Sequence, residues 1–231
     1  MTAENKIPEK TLRRAISVTD IENYAPRLLP FEGEWYDLMG RPELKGTWLI
    51  WGDSGSGKTR FSLQLGKYLA NWCRIGYNPL EEGLSESLRI AFHECGMSDV
   101  KRRVILLDQE PIGELIERIK APKSPKVWII DSLQYTGMNY VEYKAFRELF
   151  NRGRQLILIS HANGRLPEGR TANKIRFDAF VKIRIEGYRA FAMSRYGGTD
   201  YYDIWPEGAA RYWGETNTLN KQQYHDYDKI D

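Results

Sequence analysis

The sequence predicts an α/β domain: a parallel core sheet flanked by helices, with an antiparallel hairpin at one edge. Three observations predict it. Short, continuously apolar runs alternate with stretches of helical periodicity from residue 47 to residue 160, the pattern of strands joined by crossover helices. The apolar runs show no polar alternation, as expected of strands buried on both faces. After residue 178 the pattern changes: VKIRIE at Val181–Glu186 alternates strictly, Gly187 follows, and residues 188–193 run extended again, which reads as a hairpin.

The elements follow in order. Residues 1–34 are polar and mixed, carry Pro8, Pro26 and Pro30, and read as an N-terminal arm. The domain is expected over 35–213. Its first strand is 47–51 (TWLIW), bounded by Gly46 and Gly52, and a helix over 58–72 has Phe61, Leu63, Leu65 and Leu69 at helical spacing. Strands are expected at 74–78, 103–107 (RVILL), 127–130 (VWII) and 155–160 (QLILIS). Helices are expected at 84–95, at 111–119 with Pro111 near the first turn, and at 141–151. Tyr201, Tyr202, Trp205, Tyr212 and Trp213 cluster near the end, where packing on the sheet edge is the simplest reading and a subunit interface the other. Residues 214–231 form a polar C-terminal tail.

Composition narrows the class. A chain of 231 residues suits one domain with short extensions. No apolar run approaches the roughly 18 to 20 residues that span a bilayer, so no membrane role is expected. The first residues lack the apolar core of a signal peptide. The two cysteines, Cys73 and Cys95, have no metal-ligand spacing, which fits reduced thiols in a cytoplasmic protein. A net charge of +3 does not by itself point to nucleic acid.

The chemistry is concentrated in a few segments. Gly52, Asp53, Ser54, Gly55, Ser56, Gly57, Lys58 and Thr59 fit G-x-x-x-x-G-K-[ST] between a strand and a helix. The glycines let backbone amides turn inward around an anion, and the helix N-terminus adds partial positive charge. Lys58 is the candidate cation for the β- and γ-phosphates of a nucleotide, and the Thr59 hydroxyl the candidate ligand of Mg²⁺, which prefers oxygen. The apolar strand 127–130 runs into Asp131, and a strand beside the loop's own would deliver that carboxylate near the metal. Glu81 and Glu82 follow the second strand in YNPLEEG, where a carboxylate can activate water. The alternative is a pair of acids suited to a helix N-terminus. His161 ends the fifth strand and is a candidate γ-phosphate sensor or a satisfied surface group. Residues 162–177 hold Arg165, Arg170, Lys174 and Arg176 against Glu168, a basic segment read as a loop that either contacts nucleic-acid phosphates or is simply solvated.

In this order the parts resemble the RecA-like division of P-loop ATPases, nearest the core domains of RadA and DnaB-type helicases. The resemblance covers residues 35–200: LMGRPELKGTWLIWG, YNPLEEG, VWIIDSLQ, QLILISH, and Ser194, Arg195, Tyr196 and Gly197 after the hairpin. It implies ATP and Mg²⁺ as ligands and Glu81 or Glu82 as catalytic base, with Glu81 in the position directly after the strand. It implies a homo-oligomer in which Arg195 reaches a neighbour's nucleotide, and a loop that faces DNA, single strands favoured. The family's K-x-R-x-G matches at Arg195 and Gly197 but has Met193 at the Lys position, which leaves one trans-acting cation. The expected function is ATP hydrolysis coupled to DNA binding or remodelling, in the manner of compact phage or mobile-element recombination ATPases. The alternatives are a nucleotide-gated assembly switch with little hydrolysis, which Met193 would suit, and a small-molecule kinase, for which no basic lid is evident.

Overall fold

The structure is a computed structural model and describes residues 14–214. The elements run α1 (Val18–Glu22), α2 (Gly33–Met39), β1 (Gly46–Gly52), α3 (Lys58–Leu69), β2 (Ile75–Pro79), α4 (Glu86–Glu94), β3 (Val104–Leu106), α5 (Ile112–Lys120), β4 (Val127–Asp131) and α6 (Tyr140–Arg147). There follow β5 (Gln155–Asn163), β6 (Leu166–Pro167), α7 (Gly169–Asp178), β7 (Val181–Glu186), β8 (Arg189–Ser194), β9 (Tyr201–Asp203) and α8 (Pro206–Trp213).

Eight strands lie in the order β3-β2-β4-β5-β1-β7-β8-β9, and β6 pairs with β5 outside that path. The pairs from β3 through β7 are parallel, whereas β8 and β9 are antiparallel. Alternate residues of a strand point to opposite faces. In β1, Trp48 and Ile50 therefore enter the core under α2 and α3 with Leu38, Phe61 and Leu65, while Leu49 and Trp51 enter the core under α5, α6 and α7 with Leu115, Tyr143 and Ile175. Helices cover both faces, which is why the central strands read as unbroken apolar runs.

Several expectations change. The strand carrying Asp131 does not lie beside the strand that leads into Gly52: β5 pairs with β1 on one side and with β4 on the other. Residues 162–177 are not a loop but the end of β5, β6 and most of α7, along which Ala172, Ile175 and Ala179 recur at helical spacing and are buried. The segment read as an arm gives Leu29 and Phe31 to the core, where Phe31 meets the rings of Tyr68 and Trp72. Its earlier part, α1, is held by a capping box between Ser17 and Asp20 and buries nothing. Tyr201 and Tyr202 form β9, and Trp213 donates from Nε1 to the Gly187 carbonyl at 3.1 Å, so the aromatic cluster packs on the sheet edge. The tail from residue 215 lies outside the described residues.

Candidate nucleotide-binding site

β1 ends at Gly52 and α3 opens at Lys58. Between them the backbone takes conformations only glycine adopts freely: Gly55 has φ 72° and Gly57, the N-cap of α3, φ 104°. A Cβ on Gly52 would stand 2.4 Å from the Ile185 carbonyl oxygen and 2.7 Å from Ser56 Oγ, so the turn is seated directly on the β7 backbone. The first turn of α3 leaves amides with no helical partner. Ser56 Oγ is buried and has no hydrogen-bond partner among the described residues. Lys58 Nζ donates to the Asp53 carbonyl at 2.8 Å, across the loop. Burial lowers the Lys58 pKa, against the opposing charges of Asp131, Glu81 and Asp53.

Asp131 stands at the end of β4, in register with Pro79 of β2 and Ile159 of β5. Although β5 intervenes, the Asp131 side chain reaches the loop: Oδ2 accepts from Thr59 Oγ1 at 3.3 Å and from the Tyr77 hydroxyl at 2.9 Å. Burial raises the Asp131 carboxyl to about 6, and the nearby Glu81 charge adds to this while Tyr77, Lys58 and Thr59 oppose it.

Glu81 and Glu82 part company. The Glu81 amide donates to the Asp131 carbonyl at 3.0 Å, and Glu81 Oε2 lies 2.8 Å from His161 Nε2. Burial alone would raise the Glu81 pKa, but hydrogen bonds from His161 and Ser132 and the charges of His161 and Lys58 outweigh it and lower it. Glu82 instead accepts from Ser85 Oγ at 2.9 Å and Ser87 Oγ at 2.6 Å, at the start of α4. His161 sits one strand over from Asp131, paired with Gly52 in the β1–β5 register. Its Nδ1 lies 3.4 Å from Glu168 Oε2, and its amide donates to Gln134 Oε1 at 3.3 Å.

Lys58, Thr59, Asp131, Glu81 and His161 are thus gathered at the carboxyl ends of β1, β2, β4 and β5. The other candidates are elsewhere. Arg195 follows β8, whose Ser194 pairs with Val181, so it lies at the end of the sheet opposite Gly52. Its guanidinium stands 4.7 Å from the centre of the Phe180 ring. The four cations of the basic segment do not share one surface. The carbonyl of Arg165 accepts from Trp51 Nε1 at 3.0 Å. Arg170 and Lys174 lie four residues apart on one exposed stripe of α7. Arg176 is half-buried on another side of that helix, over the Phe177 ring. Sequence reasoning missed Tyr77, Gln134 and Glu168; Tyr77 and Gln134 fall within YNPLEEG and VWIIDSLQ, yet read as strand and turn residues.

The chain's fold, with β5 inserted between β1 and β4, is similar to that of solved structures. The chain superposes on the KaiC-like protein PH0186 of Pyrococcus horikoshii OT3 with a TM-score of 0.51 and 18% identity, over 70% of this chain and 84% of that one. The fold is that of the RecA-like P-loop ATPases. Two further RecA-like structures agree. The flagellar accessory protein FlaH of Methanocaldococcus jannaschii matches with a TM-score of 0.50 and 14% identity, over 78% of this chain and 92% of that one. The ATPase domain of G40P matches with a TM-score of 0.50 and 14% identity, over 72% and 84%. No family's sequence profile and no curated protein sequence matches this chain. Among the described residues, no helix is long and apolar enough to cross a membrane.

Proposed function

We propose that the chain binds ATP with Mg²⁺ at residues 52–59 and hydrolyses it to ADP and phosphate, with Glu81 as general base. One observation carries this reading: the Thr59 hydroxyl, the Asp131 carboxylate and Glu81 meet around the loop, with 3.3 Å between Thr59 Oγ1 and Asp131 Oδ2 and 3.0 Å between the Glu81 amide and the Asp131 carbonyl. The residues fit a nucleotide's phosphates. The loop is a glycine cradle with a buried, unpaired Ser56 hydroxyl and a lysine folded over its mouth. They also fit a hard cation, since Thr59 and Asp131 both offer oxygen.

In this reading Lys58 and the loop amides of Gly52, Asp53, Ser54, Gly55, Ser56 and Gly57 bind the phosphates. Thr59 and Asp131 hold the magnesium ion, which neutralises charge on the phosphate oxygens when bound. Glu81 takes the proton of the attacking water as its oxygen bonds to phosphorus and the bond to ADP breaks. His161 orients Glu81. Arg195, too far from its own loop, acts on a neighbour's nucleotide in a homo-oligomer. Arg165, Arg170, Lys174 and Arg176 belong to the segment that would meet single-stranded DNA, and the Arg170–Lys174 stripe favours that partner. A nucleotide-gated assembly switch is the second reading. It is favoured by Met193, which stands where the resemblance expects a lysine.

The test is phosphate release by the purified chain with ATP in Mg²⁺ and in chelator, for wild type and Lys58→Ala. Release that needs both Mg²⁺ and Lys58 supports hydrolysis at this site. Tight ATP binding without release supports the switch, and release unaffected by Lys58→Ala rejects the site.

A further inference from the structure

Tyr77 lies in the middle of β2, is almost wholly buried, and packs its ring edge-on against Phe92. A phenylalanine would serve that packing. The hydroxyl needs a separate reason, because burying a polar group costs free energy unless it is paired. Two oxygens are within its reach: Asp131 Oδ2 at 2.9 Å and Ser62 Oγ at 3.3 Å. Each hydroxyl carries one proton. Ser62 gives its own to the Thr59 carbonyl at 2.8 Å, and the Tyr77 proton goes to the nearer and charged acceptor, Asp131. Thr59 Oγ1 reaches the same Oδ2 at 3.3 Å. With two donors fixing Oδ2, the direction of Oδ1 is fixed as well. Tyr77, Asp131, Thr59 and Ser62 therefore form a polar string that runs from the apolar core around Tyr77 to the phosphate loop.

We propose that Tyr77 is a positioning residue of the magnesium site, its hydroxyl setting the rotation of the Asp131 carboxylate so that the free oxygen faces the ion. This rests on the reading of Thr59 and Asp131 as the magnesium ligands. Tyr77 acts through Asp131 and touches neither nucleotide nor metal. Removing its hydroxyl should weaken the contribution of the ion to nucleotide binding and leave metal-free binding intact.

The experiment measures the Kd of ADP in Mg²⁺ and in chelator and takes their ratio as the metal linkage. The wild type should bind ADP more tightly with Mg²⁺. Tyr77→Phe should reduce the ratio about tenfold, the scale typical of partners that orient a metal ligand, with the Kd in chelator unchanged. In an Asp131→Asn background Tyr77→Phe should have no further effect, which a purely structural role would not produce. Thermal melting monitors folding. Should the Phe variant not fold, 3-fluorotyrosine at position 77 keeps the ring and the hydroxyl but makes the hydroxyl a stronger acid, and must change the same ratio. An unchanged ratio, or an equal fall in the Asp131→Asn background, overturns the proposal. A wild type with no metal linkage rejects the magnesium site itself, and this inference with it.

Discussion

Glu81 and His161 are joined across the sheet: Glu81 Oε2 stands 2.8 Å from His161 Nε2, although β4 lies between the strands that deliver them. The other ring nitrogen of His161 faces Glu168, the N-cap of α7. Under the proposed reading, His161 orients the carboxylate in front of it. His161→Ala should lower kcat for ATP about 10- to 100-fold, the usual cost of losing an orienting partner, with little change in nucleotide Kd. Steady-state kinetics beside a binding titration checks this. Parallel losses of kcat and affinity would mean that His161 holds the phosphates instead.

Asp131 carries a pH dependence whose sign can be worked out. Burial raises its carboxyl from 3.8 in the unfolded chain to about 6 in the fold. A raised acid favours folding below the unfolded value, and that contribution is lost as pH rises through the folded value. The window is therefore between about pH 4 and pH 6, and above it the ionised, buried carboxylate costs on the order of 3 kcal/mol. Asp131→Asn, without nucleotide or metal, should melt above wild type at pH 8, and the gap should close towards pH 4. Melting curves across that range decide it.

Arg170 and Lys174 share the exposed stripe of α7, whereas Arg176 is half-buried on another side of the helix, beside the exposed Phe177 ring. Replacing Arg170 and Lys174 by Ala should weaken binding to single-stranded DNA. It should also reduce the log–log salt slope by about 0.7 for each phosphate that is no longer neutralised. Arg176→Ala should leave the slope unchanged. Affinities measured over a salt series distinguish the two variants.

Arg195 is at the wrong end of its own sheet to reach its own loop. As a trans-acting group it should be worth about 10³- to 10⁵-fold in turnover, and activity should rise with protein concentration. Mixing Arg195→Ala with Lys58→Ala subunits should restore part of the activity, because some interfaces then pair an intact loop with an intact arginine. No recovery in a confirmed mixed oligomer would return Arg195 to a surface role beside Phe180.

The phosphate loop and the parallel strands are legible in the sequence because their signals are local: a fixed spacing of glycines, and apolar runs that need both faces covered. The insertion of β5 between β1 and β4 is not, since pairing between strands distant in sequence leaves no mark in either strand. Helix α7 reads as a loop because only Ala172 and Ile175 of its ten residues are buried, and Gly169, Thr171 and Asn173 are poor helix formers. Leu29 and Phe31 are hidden beside Pro26 and Pro30, where the chain looks like a polar arm. The choice between Glu81 and Glu82 turns on Ser85 and Ser87, which capture Glu82 at the start of α4. Tyr77 reads as an ordinary strand aromatic, since only the fold brings its hydroxyl to Asp131.

The most direct measurement is ATP binding and phosphate release on the same sample of Glu81→Gln, beside wild type and Glu82→Gln. Glu81→Gln should bind ATP with the affinity of wild type and release phosphate about 10²- to 10⁴-fold more slowly, the usual cost of replacing a general base. Glu82→Gln should turn over like wild type. Wild-type release rates from Glu81→Gln would contradict Glu81 as the base and, with it, this reading of the cluster around Asp131.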